Sequence, residues 1–107
     1  MANDDSSGWF SSKETVLHGG EGPVTSIQWR GQLIAWANDN GVKIYDTQLN
    51  QRITYIERPK GSPRPDLYYC CLCWKNDNVL LVGWADSVKI AHVKVQLRLY
   101  LPIVLII

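Results

Sequence analysis

Between Val24 and Val93 the chain states one pattern twice, and nothing else in it restricts the fold as strongly. The first copy runs Val24-Thr25-Ser26-Ile27-Gln28-Trp29, then Leu33-Ile34-Ala35-Trp36-Ala37-Asn38-Asp39-Asn40-Gly41, then Val42-Lys43-Ile44-Tyr45-Asp46. The second runs Cys70-Cys71-Leu72-Cys73-Trp74, then Leu80-Leu81-Val82-Gly83-Trp84-Ala85-Asp86-Ser87, then Val88-Lys89-Ile90. Trp29 and Trp74 lie 45 positions apart, Trp36 and Trp84 48, Val42 and Val88 46. A strand-turn-strand unit recurring at such a period is the sequence signature of a β-propeller blade. One blade cannot bury both of its faces, so two copies imply a larger ring or an incomplete one.

The segments between the matching positions read as strands. Val24 to Trp29 alternates, with Val24, Ser26 and Gln28 on one side and Thr25, Ile27 and Trp29 on the other. Leu33 to Ala37 is almost wholly apolar, as an inner strand covered on both faces should be. Asn38-Asp39-Asn40-Gly41 is a hairpin signal in which Asn-Gly supplies the positive φ of a two-residue turn. Val42 to Tyr45 returns, and Arg52 to Glu57 forms an outer fourth strand. Tyr69 to Trp74, Val79 to Trp84 and Ser87 to Val93 repeat the scheme. Residues 95–101 alternate Val95, Leu97, Leu99 and Leu101 with polar neighbours and suit the fourth place in the second blade. No stretch has helical periodicity, so the fold class is all-β: about two blades of an incomplete, open WD40-like propeller.

The organisation that follows is a flexible segment over 1–15, a propeller fragment over 16–94 with blades at about 24–58 and 69–101, and a divergent apolar tail over 95–107. Trp9 and Phe10 are the aromatic residues of the first segment and could dock elsewhere on the molecule. Val16-Leu17 reads as a short strand ahead of the glycine-rich connector His18-Gly19-Gly20-Glu21-Gly22-Pro23. The tip Ile103-Val104-Leu105-Ile106-Ile107 carries no charge and is an aggregation liability unless covered.

Composition narrows function. With a net charge of +1 and a pI near 7.7, the chain lacks the basic stripe that phosphate binding requires, so nucleic acid is not the expected partner. Cys70, Cys71 and Cys73 crowd one strand, where neighbours point to opposite faces, so no local disulfide is expected and the compartment reads as reducing. Only Cys71 and Cys73 share a face and no second Cys/His cluster exists, so a buried run of thiols is expected rather than a metal site. The N-terminus has no apolar signal region, and the apolar end is far shorter than the roughly 20 residues a membrane helix needs. The glycine connector lacks the Gly-Lys-Ser/Thr ending of a phosphate cradle. A His/Asp catalytic pair finds no nucleophile at motif spacing. No enzyme activity and no cofactor are expected.

The loops match a known pattern as closely as the strands do. Val16-Leu17-His18-Gly19-Gly20-Glu21-Gly22-Pro23-Val24, Trp29-Arg30, Leu33 to Asp39, Gly41 to Asp46, Gln51-Arg52-Ile53-Thr54, Ile56 to Pro65, Val82-Gly83-Trp84 and Ser87 to Ile90 carry the likeness. The chain resembles WD40-type propellers, and more narrowly the propeller of the vacuolar protein sorting-associated protein 41 family, subunits of the HOPS tethering complex. The likeness covers about residues 9–94 and is greatest to plant members. Family proteins are several-fold longer, with an α-solenoid and a RING-like region that this chain lacks, and residues 95–107 leave the pattern.

The resemblance implies a non-enzymatic scaffold in endosome-to-vacuole transport, cytoplasmic and peripheral on late endosomes and the vacuole. It implies other HOPS subunits, a small GTPase or an adaptor coat as partners, with membrane association through them and no transmembrane segment. It also implies a structural blade network of His18, Asp39, Asp46, Trp36 and Trp84, with Tyr45-Asp46 standing where such repeats carry Trp-Asp. Arg58, Lys60 and Arg64, interleaved with prolines, form a candidate partner-binding loop, and Ser62-Pro63 would place a phosphate against these cations if modified. Two readings stand beside this one: a non-functional truncated product whose open edges aggregate, and a WD40 interaction module of another complex.

Overall fold

The computed structural model describes residues 13–64 and 67–94, together with the backbone of 103–106. Strands β1 (Ser26–Arg30), β2 (Leu33–Ala37), β3 (Gly41–Asp46) and β4 (Gln51–Glu57) form one antiparallel sheet in chain order. Strands β5 (Cys71–Asn76), β6 (Val79–Trp84), β7 (Ser87–Lys94) and β8 (Ile103–Ile106) form a second in the same order. Among the described residues there is no helix, and the two sheets do not close on one another. The fold is all-β, an open pair of propeller blades.

The pairing registers explain the repeat. Trp29 pairs with Ile34, which pairs with Tyr45, and Trp74 pairs with Leu80, which pairs with Ala91. Ile27, Trp36 and Lys43 make the next row of the first sheet, matched by Leu72, Val82 and Lys89 in the second. Trp36 and Trp84 are therefore not register equivalents, because Trp84 pairs with Ser87 one row nearer the hairpin. A shift of two residues preserves the face, so both indoles still point the same way.

The period of two then decides what is covered. Leu33, Ala35 and Ala37 of β2, with Val42 and Ile44 of β3 and Ile56 of β4, line the face of the first sheet that meets the second. Leu72, Trp74, Leu80, Val82, Trp84, Ala91 and Val93 answer from the second sheet. Among the described residues one hydrophobic core lies between the sheets. Two hydrogen bonds cross it at the inner strands: Trp74 Nε1 donates to Gln28 O at 3.0 Å and Ser26 Oγ to Cys70 O at 3.3 Å.

Three expectations are corrected. Val16-Leu17 is not a strand, since no edge among the described residues pairs with it and Val16 is exposed. Gly41 does not have a positive φ. The turn is tied instead by Asn38, whose Oδ1 accepts from the backbone N–H groups of Asn40 and Gly41 at 2.8 and 3.1 Å. Glycine is required at 41 for space, because a Cβ there would sit 2.5 Å from Ile56 O and 2.6 Å from the Tyr55 ring. The fourth strand of the second sheet is Ile103–Ile106, paired with Ala91–Lys94, so the apolar tip fills the place expected of 95–101. That stretch, like Trp9 and Phe10, lies outside the described residues.

Candidate functional site

The glycine connector folds over the first sheet and builds a polar cluster on its open face. Gly20 and Gly22 take positive φ values of 71° and 95°, which lets the chain reverse sharply between His18 and β1. His18 thereby meets Trp36 edge-on, with ring centroids 6.3 Å apart at 87°. Trp36 Nε1–H donates to His18 Nδ1 at 3.1 Å, while His18 Nε2 lies 3.1 Å from Gly22 O and donates to it. Those two bonds select the neutral Nε2–H tautomer. Lys43 Nζ sits 3.4 Å from the same Nδ1 and forms an ion pair with Glu21. Asn38 closes the ring of contacts by donating from Nδ2 to Glu21 O at 2.9 Å.

Of the expected network, then, His18 and Trp36 are joined. Asp46 is fully buried at the far end of β3, on the covered face. Its Oδ1 accepts from the N–H groups of Gln48 and Leu49 at 2.8 and 2.9 Å, and its Oδ2 accepts from Gln32 Nε2 at 2.7 Å. It holds the β3–β4 turn rather than His18. Asp39 is exposed at the tip of its hairpin and takes part in no such set among the described residues. Trp84 belongs to the second sheet. Sequence reading missed Glu21, Asn38 and Lys43, although a lysine recurs at the same register in both blades (Lys43 and Lys89), a signal that something apart from solvent holds it.

The connector between the blades is built on the same plan. Arg58 is buried and stacks over the Trp84 ring, its guanidinium carbon 4.8 Å from the centroid. Its Nε donates to Ser62 Oγ at 2.9 Å and its Nη2 to the carbonyls of Pro63 and Tyr68 at 3.1 and 3.2 Å. Arg58 is thus the pin of the loop, and the expectation that it joins an exposed binding set does not hold, because its side chain is buried, with Nε and Nη2 bonded inside the molecule and Nη1 buried without a partner. Lys60 and Arg64 are exposed on the outside of that loop. Ser62, half-buried, is the hydroxyl that Arg58 already holds.

The expectation of a buried thiol run is also corrected. Only Cys70 is buried; Cys71 and Cys73 are exposed on the open face of the second sheet. Burial above all, with the neighbouring Cys71 adding and Arg58 opposing, pushes the Cys70 thiol up to about 12. Among the described residues no three His, Cys, Asp or Glu side chains stand together as metal ligands. No described helix is long and apolar enough to cross a membrane. A shallow groove of about 660 Å³ runs beside Tyr68, Tyr69, Cys71, Gly83 and Val88.

A family model described as "Vps42 beta-propeller" matches residues 4–102. The chain is 58% identical over 86 residues to the vacuolar protein sorting-associated protein 41 homolog of Arabidopsis thaliana, covering 80% of this chain and 9% of that one. It is 51% identical over 86 residues to the homolog of Solanum lycopersicum, with the same coverage of each. Against the Homo sapiens homolog the identity is 55% over 82 residues, 77% of this chain and 10% of the other. The chain thus spans about a tenth of the length of the curated relatives it matches. No solved structure matches it at a significant level.

Proposed function

The chain belongs to the vacuolar protein sorting-associated protein 41 propeller family, and on that premise we propose that it is a non-enzymatic interaction module in endosome-to-vacuole transport. In this reading it is part of a HOPS-type tethering subunit, cytoplasmic and held at late endosomal and vacuolar membranes by its partners. Other tether subunits, a small GTPase or an adaptor coat are the partner classes. The observation that carries the reading is family membership across strands and loops alike. It is supported by how the half-buried His18 and the buried Asp46 and Arg58 are used: the hydrogen bonds they make shape turns and connectors. A blade so pinned offers a surface and keeps it rigid.

The outer side of the blade connector, with exposed Lys60 and Arg64, is the contact we assign to an acidic partner surface. The test is binding of the purified chain to separately purified tether subunits. We expect one of them to retain it, and Lys60→Glu to weaken that binding more at low than at high ionic strength. Failure to bind any subunit rejects the trafficking role. Binding indifferent to Lys60→Glu rejects the loop and keeps the role.

A further inference from the structure

The molecule has a front and a back that match each other by its own internal repeat. At the core, the front of the second sheet packs on the back of the first: β5 lies against β1 and β2, and its Leu72 and Trp74 share one buried cluster with Ala35, Ala37, Val42 and Ile44. The register equivalents of Leu72 and Trp74 are Ile27 and Trp29, and these are 62% and 65% exposed. The equivalents of Val42 and Ile44, both at 0%, are Val88 and Ile90, at 72% and 43%. The exposed parts of these two faces are therefore the two halves of an interface that the chain already makes once internally.

We infer that a second copy of this chain covers these faces, the front of one first sheet stacking on the back of another copy's second sheet. The occupant follows from the equivalence, since each face is shaped by the same blade register as its counterpart in the core. The connectors leave the way clear. The His18 loop covers Trp36 but not Trp29, just as the Arg58 loop covers Trp84 but not Trp74. Trp29 Nε1 now donates to Gly31 O at 3.0 Å. By the equivalence of Gln28 with Cys73, it would turn to Cys73 O of the second copy, as Trp74 does to Gln28 O. Front-to-back contacts are heterologous, so they build rings or open stacks rather than closed dimers.

The test is sedimentation of the whole chain over a concentration series, in reductant so that Cys71 and Cys73 do not cross-link copies. The mass should rise above the 12.2 kDa of one chain and continue past twice that value. Trp29→Glu and Ile90→Glu each spoil one face at an exposed position. Each alone should weaken self-association at least about tenfold with its β-sheet circular dichroism unchanged. An equimolar mixture of the two variants should form a one-to-one pair and stop there, through the one intact front and the one intact back.

A wild-type chain that stays monomeric throughout overturns the inference. So does self-association of Ile90→Glu at wild-type strength, which would mean front-to-front pairing. Aggregates indifferent to both substitutions, or a mixture that forms no pair, overturn it as well. None of these readings involves tether subunits, so the outcome is independent of the trafficking role.

Discussion

Arg58 shows how one residue fixes the connection between blades. Its guanidinium gives up water and receives Ser62 Oγ, two carbonyls and the face of Trp84 in return. Hydrogen bonds from a charged donor contribute more than neutral ones, and a planar fork reaches acceptors that an ammonium cannot. Arg58→Met keeps a stem over Trp84 and removes every one of those bonds, so we expect a loss of about 3 kcal/mol in urea denaturation. Arg58→Lys should fall between Met and wild type. A loss below about 0.5 kcal/mol, the scale of ordinary surface changes, would mean that the loop holds without its pin. Cys70 gives a pH signature at the same scale. Its thiol titrates at about 12 in the folded chain against an ordinary 9.0, so the unfolded chain loses that proton first. Stability from this group is complete below pH 9.0 and declines as pH rises towards 12. Cys70→Ala should flatten that part of the profile. At mildly alkaline pH an alkylating reagent should modify Cys71 and Cys73 in the folded protein and reach Cys70 only after denaturation.

Within the elements, the β2–β3 hairpin depends on Asn38 more than on the glycine that follows it. Asn38 Oδ1 takes both turn N–H groups and Nδ2 holds the Glu21 carbonyl of the connector. Asn38→Ala loses all three bonds and should cost about 2 kcal/mol. Asn38→Asp keeps the acceptor but not the donor, so it should cost less than Ala and specifically speed amide exchange around Glu21. Equal losses for Ala and Asp would place the whole effect in the connector. The bounds of β2 and β6 were legible in the sequence, because Leu33–Ala37 and Val79–Trp84 are apolar runs closed at both ends by turn residues. Alternation shows that β5 has two faces; it does not show which one the neighbouring sheet will cover, so the exposure of Cys71 and Cys73 was hidden. The His18–Trp36 contact was half legible, since both residues stood out as blade signatures. Glu21 and Lys43 were not, because a pairing between a loop and the middle of a strand leaves no local spacing to read. The fourth strand of the second blade misled for a related reason: the alternation over 95–101 and the unbroken run over 103–106 are both good strands, and only the register against β7 separates them.

For the molecule as a whole, the decisive fact is that neither sheet owns a core. The buried cluster takes Leu33, Ala35, Val42 and Ile44 from the first and Leu80, Val82, Trp84 and Val93 from the second, and the other face of the first sheet is covered only where the His18 connector lies on Trp36 and Lys43. A blade that buries one face only against its neighbour cannot hold its strands once that neighbour loosens. The two blades should therefore unfold as one unit, although the chain is written as a repeat. Leu80 is fully buried between the sheets, and Leu80→Ala should cost about 3 kcal/mol through the lost contacts and the space left behind. Native-state hydrogen exchange tells how that cost is shared. We expect amides of β2 and β3 to lose as much protection as those of β6 and β7, although the substitution is made only in the second sheet. The edge strands β1 and β4 should exchange faster throughout, since each leaves one row of N–H groups unpaired within its sheet. If protection falls in β6 and β7 while β2 and β3 keep theirs, the first sheet is stable by itself, and the shared core is a contact between two independent units.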